Sequence, residues 1–244
     1  MNAGGGATEG APVEVQFHAY ADATQWAWAA AVAIAGALGR DLERRPRARL
    51  LLSGGTTPAP VYEALSKAPL DWTRVDVALV DERWLLPDDP DSNARLVRRT
   101  LLQNHGAQGR FESITRAGRG FEDALTTANM HARHPAGVVV LGMGPDGHTA
   151  SLFPRMRGLD DALASPSPYV AVDASGCPGA GAWTRRISLT PAGLAPAQAR
   201  LLLIRGAEKR ALFERVRAGA DVRDFPVAVA FTTPGAPLHV HWCP

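Results

Sequence analysis

The sequence predicts an α/β fold: a doubly wound, mostly parallel sheet with helices on both faces, in the Rossmann-like manner. Three observations predict it. Short apolar runs alternate with helical segments from residue 13 to about 218, the pattern that builds parallel sheets. The run Val138-Val139-Val140-Leu141 is too brief for a lone helix and rich in β-branched residues, so it reads as a strand buried on both faces. Glycine-rich loops follow several of these runs at once, and open α/β sheets bind ligands at the carboxyl ends of their strands.

In chain order, Val13 to His18 alternates apolar and polar residues, as a strand near an edge does. Asp22 or Thr24 can cap the alanine-rich helix that runs to about Arg44. Arg49 to Leu52 is a short apolar strand, and a helix from about Pro58 to Lys67 follows it. Val75 to Val80 is a third strand, Ser92 caps a helix through Leu102, and Phe121 to Arg133 is another helix before the run at Val138. Beyond Pro154 come a short helix around Leu159 to Leu163, a strand at Tyr169 to Val172 and a glycine-rich loop over 175–182. Arg185 to Leu189 is a strand that ends in a Thr190 cap with Pro191 at the first helical position. Arg200 to Ile204, a helix from Ala207 to about Ala218, and an alternating strand over Leu238 to Trp242 complete the chain.

The chemistry collects in the loops. Gly142, Gly144 and Gly147 let the backbone approach a ligand closely, and among them stand Asp146 and His148, with Thr149 and Ser151 behind. A histidine there can take a proton and return it within one turnover. A lone Asp-Gly-His would more often be a capped turn; the three glycines and the buried-type strand favour an active-site loop. Ser53-Gly54-Gly55-Thr56-Thr57-Pro58, between strand and helix, can aim backbone N–H groups at an anion, though no Gly-Lys-Ser/Thr makes it a P-loop. Asp81-Glu82-Arg83 at a strand end is costly to bury unless it faces a polar site. Arg83 suits bidentate binding of phosphate or carboxylate, and an ion pair with its acidic neighbours is as good a local reading. Lys209, one of two lysines in a chain that otherwise uses arginine, sits in a helix's first turn, where a cation is unfavourable without an anion nearby.

Composition bounds the function. At 244 residues with 46% hydrophobic and 20% charged, the chain can bury a substantial core. The formal net charge is +2 and the arginines are scattered, which argues against nucleic acid as a partner. No apolar stretch approaches the roughly 20 residues that span a bilayer, so no membrane is expected. Two cysteines without a Cys-x-x-Cys point to free thiols in a reducing cytoplasm. Residues 1–12 read as a disordered tail, and 13–244 as a single domain. His239 and His241 share a strand face at a spacing metals can use, but without a third ligand nearby they read as partly exposed strand histidines, and no metal is expected.

Gly142-Met143-Gly144-Pro145-Asp146-Gly147-His148-Thr149-Ala150-Ser151-Leu152-Phe153-Pro154 resembles the signature of the 6-phosphogluconolactonases, within the wider group that includes glucosamine-6-phosphate deaminase. Further blocks at 52–58, 81–84 with Ser92-Asn93, 186–190 and 206–210 resemble the family's other motifs, in order. The resemblance implies hydrolysis of a phosphorylated sugar lactone in the oxidative pentose phosphate pathway, without metal or organic cofactor. It implies His148 as the acid–base residue with Asp146 beside it. It implies phosphate or substrate contacts from Ser53, Gly54, Gly55, Thr56, Arg83, Gly144, Arg186 and Lys209. The deaminase relatives carry a catalytic glutamate five residues after the histidine; here that position is Phe153, which favours lactone hydrolysis. A sugar-phosphate isomerase or deaminase is the alternative, and a non-catalytic sugar-phosphate sensor ranks third, since no helix-turn-helix segment precedes residue 49. A monomer or a small homo-oligomer is expected.

Overall fold

A run such as Leu50-Leu51-Leu52 or Val138-Val139-Val140 gains by leaving water on both faces, about 1.5–3 kcal/mol for each fully buried side chain. Such runs therefore settle in the middle of a covered sheet. The structure, a computed structural model, describes residues 13–244; the tail read over 1–12 lies outside the described residues. The chain runs through β1 (Val15–Ala19), α1 (Ala23–Arg44), β2 (Ala48–Leu52), α2 (Ala59–Leu65), β3 (Val75–Leu79), β4 (Asp81–Arg83) and α3 (Asn93–Thr100). It continues through β5 (Arg110–Phe111), α4 (Phe121–His131), β6 (Val138–Gly142), α5 (Leu159–Ala164), β7 (Tyr169–Asp173) and β8 (Arg185–Leu189). It ends with α6 (Pro191–Leu194), β9 (Ala199–Arg205), α7 (Ala207–Arg217), α8 (Val229–Thr232) and β10 (Leu238–Cys243).

Seven strands form a parallel sheet in the order β1-β10-β9-β6-β2-β3-β5. Every residue of β2 and β3 is buried, as is β6 up to Gly142. The helix α1 lies across β2, β6, β9 and β10. It presents Trp26, Ala30, Ile34 and Leu38, all fully buried, at the four-residue spacing of one helix face. Of its two candidate caps, Asp22 takes the role: its carboxylate accepts the N–H groups of Thr24 and Gln25 at 2.8 and 2.9 Å.

From β2 the chain builds outward through β3 to β5, then returns to lay β6 on the other side of β2. The order therefore reverses between β2 and β6, and that reversal opens a crevice beyond their carboxyl ends.

Two expectations need correcting. The segment Asp81–Arg83 does not trail off as a strand end. It forms β4, which pairs antiparallel with β8 in a second sheet, β4-β8-β7. The chain turns out of the main sheet after Val80, and its charged residues thereby reach a polar environment. The two histidines of the terminal strand are not both partly exposed: β10 lies between β1 and β9, so His241 is 3% exposed and only His239 is half-buried. A six-residue parallel strand between two neighbours leaves its inward side chains no route to water.

Candidate active site

The pairing of Leu50, Leu51 and Leu52 with Val138, Val139 and Val140 sets two loops face to face: Ser53 to Pro58 after β2, and Met143 to Leu152 after β6. No protein acceptor takes the N–H groups of Gly54, Gly55 or Thr56 among the described residues, and all three residues line the crevice, so the backbone alone brings three free donors to it. Ser53 is pinned beneath them, its carbonyl accepting from the Tyr62 hydroxyl at 2.9 Å. Only glycine fits at 54, because a β-carbon there would fall 1.8 Å from Asn93 Oδ1. The following helix, α2, has seven residues, so the anion-seeking groups are those of the loop and not of a long helix end.

Asn93 and the acidic pair before it were not read from the sequence as a network. Glu82 is 1% exposed and accepts four hydrogen bonds, from the N–H groups of Arg83, Asn93 and Ala94 and from the Ser92 hydroxyl, at 2.8–2.9 Å. It closes the start of α3 the way a capping carboxylate does. Burial pushes its carboxyl up, against the pull of those donors. Asp81 accepts from Ser151 Oγ at 2.5 Å and, through its backbone oxygen, from Asn93 Nδ2 at 2.9 Å. Neither carboxylate pairs with the Arg83 guanidinium, which donates to the Asp91 carbonyl instead. The ion pair considered for Arg83 is absent among the described residues.

The other wall carries the acid–base candidate. Thr149 Oγ1 donates to the Gly142 carbonyl at 2.8 Å and closes the loop. Gly144, Gly147 and His148 spend their N–H groups on His148 O, Gly144 O and Asp146 Oδ1, so these three are not free to bind an oxyanion. The His148 Nδ1 lies 2.6 Å from Asp146 Oδ1. That contact leaves Nε2 as the nitrogen available to water. Burial raises the Asp146 carboxyl, but the hydrogen bond and charge of His148 outweigh it, and the group titrates below the ordinary carboxylate range. Gly144 makes room for this pair: a β-carbon there would sit 2.1 Å from His148 Nδ1. Ala150 adopts a left-handed φ of 49°, strain for a residue with a side chain, in the turn that carries His148 to Ser151. Phe153 is fully buried, its ring centroid 4.5 Å from that of His148 and 5.1 Å from the Arg186 guanidinium.

The expected residues converge. Gly54, Gly55 and Thr56 line one side of a single cleft with Ser53; Gly144, His148 and Lys209 line another; Arg83 and Arg186 close it. Asp146 does not line the cleft and meets it through its contact with His148. Lys209 donates to the Met143 carbonyl, and burial pushes its amine down against the charge of Asp146. Arg186 is 4% exposed and bonds the carbonyls of Trp183 and Ala180 at 2.7 and 2.6 Å, with Asp81 3.9 Å away. Asp81 and Asn93 line the cleft and were missed as site residues; an acid at a strand end opposite a Ser-Asn helix start was the available signal.

A crevice at the reversal point of a parallel sheet, with free backbone N–H groups, three cations and a histidine–carboxylate pair, defines an α/β protein built to hold an anionic small molecule. The family model described as glucosamine-6-phosphate isomerases/6-phosphogluconolactonase matches residues 21–242. The chain belongs to that family. It is 50% identical over 226 residues to the 6-phosphogluconolactonase of Xylella fastidiosa, covering 92% of this chain and 94% of that one. It is 40% identical over 238 residues to the 6-phosphogluconolactonase of Pseudomonas aeruginosa, covering 96% and 97%. Among solved structures, a 6-phosphogluconolactonase from Shewanella baltica superposes with a TM-score of 0.85 at 31% identity, over 95% of this chain and 98% of that one.

Proposed function

We propose that this protein hydrolyses 6-phosphogluconolactone to 6-phosphogluconate, the lactonase step of the oxidative pentose phosphate pathway, with His148 as general base and then general acid. The reading rests on one juxtaposition above the others: an imidazole oriented by Asp146 at 2.6 Å, in a cleft that also holds Lys209, Arg83 and free loop N–H groups. It takes residues 13–244 as one domain, working in the cytoplasm as a monomer or small homo-oligomer, with a small molecule as its only partner.

The lactone is a cyclic ester. Water bound at Nε2 of His148 gives up a proton as its oxygen attacks the carbonyl carbon, and a tetrahedral oxyanion forms. That charge needs donors. The N–H groups of Gly144, Gly147 and His148 are occupied, so Arg83 or the Gly54–Thr56 backbone is the source this cleft offers. The imidazolium returns the proton to the departing ring oxygen, the C–O bond breaks, and the new carboxylic acid ionises, so each turnover releases one proton. The phosphate held by Lys209 and its neighbours positions the carbonyl, converting remote binding energy into orientation. Phe153 supports hydrolysis over isomerising deamination: an apolar ring packs on His148 where the deaminase relatives carry an acid.

Proton release on adding fresh 6-phosphogluconolactone, set against the spontaneous rate, tests the reading. Acceleration at micromolar enzyme, with no ammonia formed from glucosamine 6-phosphate, is the expected result. Ammonia from the amino sugar and no acceleration with the lactone would turn the assignment to the deaminase side of the family.

A further inference from the structure

The histidine–carboxylate pair is also met from outside the cleft lining, by a segment between β7 and β8. Between β7 and β8 the chain makes a short turn at Pro178–Ala180, and Gly179 there passes directly over the histidine–carboxylate pair. A β-carbon at Gly179 would fall 2.4 Å from Asp146 Oδ2 and 3.2 Å from His148 Nδ1. Gly144 approaches the same pair, so two glycine backbones abut it. The turn itself is tied down: Arg186 bonds the carbonyls of Ala180 and Trp183, Ala174 N–H bonds Thr184 O, and the Trp183 indole bonds Asp91 at 2.8 Å.

We propose that Gly179 is a positioning residue for the Asp146–His148 pair, its backbone forming the outer wall that keeps the carboxylate seated on Nδ1. The proposal rests on the reading of His148 as acid–base residue. Two features separate it from a general need for a well-formed loop. The backbone at Gly179 does not occupy the left-handed region, and the nearest atoms an alanine there would meet all belong to the pair: Asp146 Oδ2, Asp146 Cγ and His148 Nδ1. Gly181, two residues on, has a φ of 61° and open space around its β-position, so alanine there strains the same loop without touching the pair. Arg186 thereby acquires a second duty: the guanidinium that closes the cleft also fixes the turn bearing Gly179.

The test is a double-mutant cycle in the full chain with 6-phosphogluconolactone as substrate. Gly179→Ala is expected to lower kcat by about tenfold or more with KM changed less than threefold, since a displaced base loses its near-attack geometry while binding groups stay. The acidic limb of kcat/KM, which reports the pair as a unit, should move to lower pH as the carboxylate is pushed off. In an Asp146→Ala background, where the obstructing oxygens are gone, the same change should cost less than about twofold. Gly181→Ala should leave the limb in place. Equal losses from Gly179→Ala in both backgrounds, or the same limb shift from Gly181→Ala, would overturn the proposal. A His148→Ala variant that keeps wild-type turnover would instead remove the acid–base reading beneath it, and that result is seen without the cycle.

Discussion

One histidine stands at the centre of the main sheet and three gather at its edge, and the contrast shows what makes an imidazole useful. At the carboxyl end of β6, His148 keeps 22% of its side chain exposed and has a carboxylate 2.6 Å from Nδ1. Between β1 and β10, His18, His239 and His241 stack on one another, with ring centroids 4.9 Å apart for His18–His241 and 5.5 Å for His18–His239. Their partners are one another and a hydroxyl, not an acid: His18 Nε2 lies 3.2 Å from His239 Nδ1, and His241 Nδ1 lies 3.0 Å from the Tyr20 hydroxyl. Burial first, and then the two neighbouring imidazoles, push His241 down to about 3. At His148 an acid lies against the ring; in the stack, burial pushes His239 and His241 down.

The comparison breaks most visibly in turnover. His148→Ala is expected to lose on the order of 10²–10⁴-fold in kcat, the usual worth of a positioned general base, with 6-phosphogluconate binding nearly intact. His241→Phe, within the buried stack, should keep kcat within about threefold, since nothing of that cluster lines the cleft. The proton-release assay reads both. Comparable losses in the two variants would mean that the distinction drawn here is wrong.

Why one cluster was legible in the sequence and the other was not follows from how each is made. The loop at 142–154 announces itself locally, since three glycines, an acid and a histidine within seven residues have one economical explanation. The strands were legible for the same reason, each being a local run with a clear period. Pairing is not local. Nothing in Leu238 to Trp242 says that it will enter the sheet between β1 and β9, and so the burial of His241 escaped the reading. Asp81–Arg83 escaped it likewise, because three residues form a strand only when β8 supplies the partner. Asn93 and Gly179 are the same case at the site: their roles exist only where remote segments meet, 39 residues on from Gly54 and 31 on from His148.

The buried cluster has its own signature in acid. The unfolded chain protonates His241 near 6.5, whereas the folded protein resists until about 3. Between those values the unfolded state binds the extra proton, so stability is fully present above about pH 6.5 and falls as the pH is lowered. The slope from this one residue is up to about 1.4 kcal/mol per pH unit. Urea unfolding at pH 7, 6, 5 and 4 measures it. The slope should flatten in His241→Phe, and an unchanged slope would show that some other group drives the acid transition.

At the active cluster, a finer division is expected between chemistry and recognition. Lys209 reaches the cleft from the first turn of α7, and burial depresses its amine even with Asp146 nearby, a cost that a bound phosphate would offset. Lys209→Ala should weaken kcat/KM for 6-phosphogluconolactone by about 1.5–3 kcal/mol, the worth of a charged hydrogen bond, or roughly 10–150-fold. Hydrolysis of unphosphorylated gluconolactone should hardly change. Equal losses on both substrates would make Lys209 structural or catalytic and withdraw the phosphate assignment.

The smallest effect expected is none at all, and it bears on the stacked histidines. His239 and His241 have a spacing on β10 that a metal can use, and His18 stands beside them. A tetrahedral ion needs three or four lone pairs converging at about 2.0–2.1 Å from one point. Here the rings lie nearly parallel, 12° between His18 and His239 and 29° between His18 and His241, so their in-plane lone pairs lie in stacked layers and do not converge on a common centre. No group of three or more metal-ligating side chains among the described residues has a workable arrangement. Dialysis against EDTA should therefore leave lactonase activity unchanged, and zinc should leave the melting temperature where it was. Activity lost in EDTA and regained with zinc would place a metal in the reaction. A zinc-dependent rise in melting temperature that disappears in His239→Ala would instead show that the β1–β10 stack can open into a ligand set, and the line drawn between the two clusters would have to move.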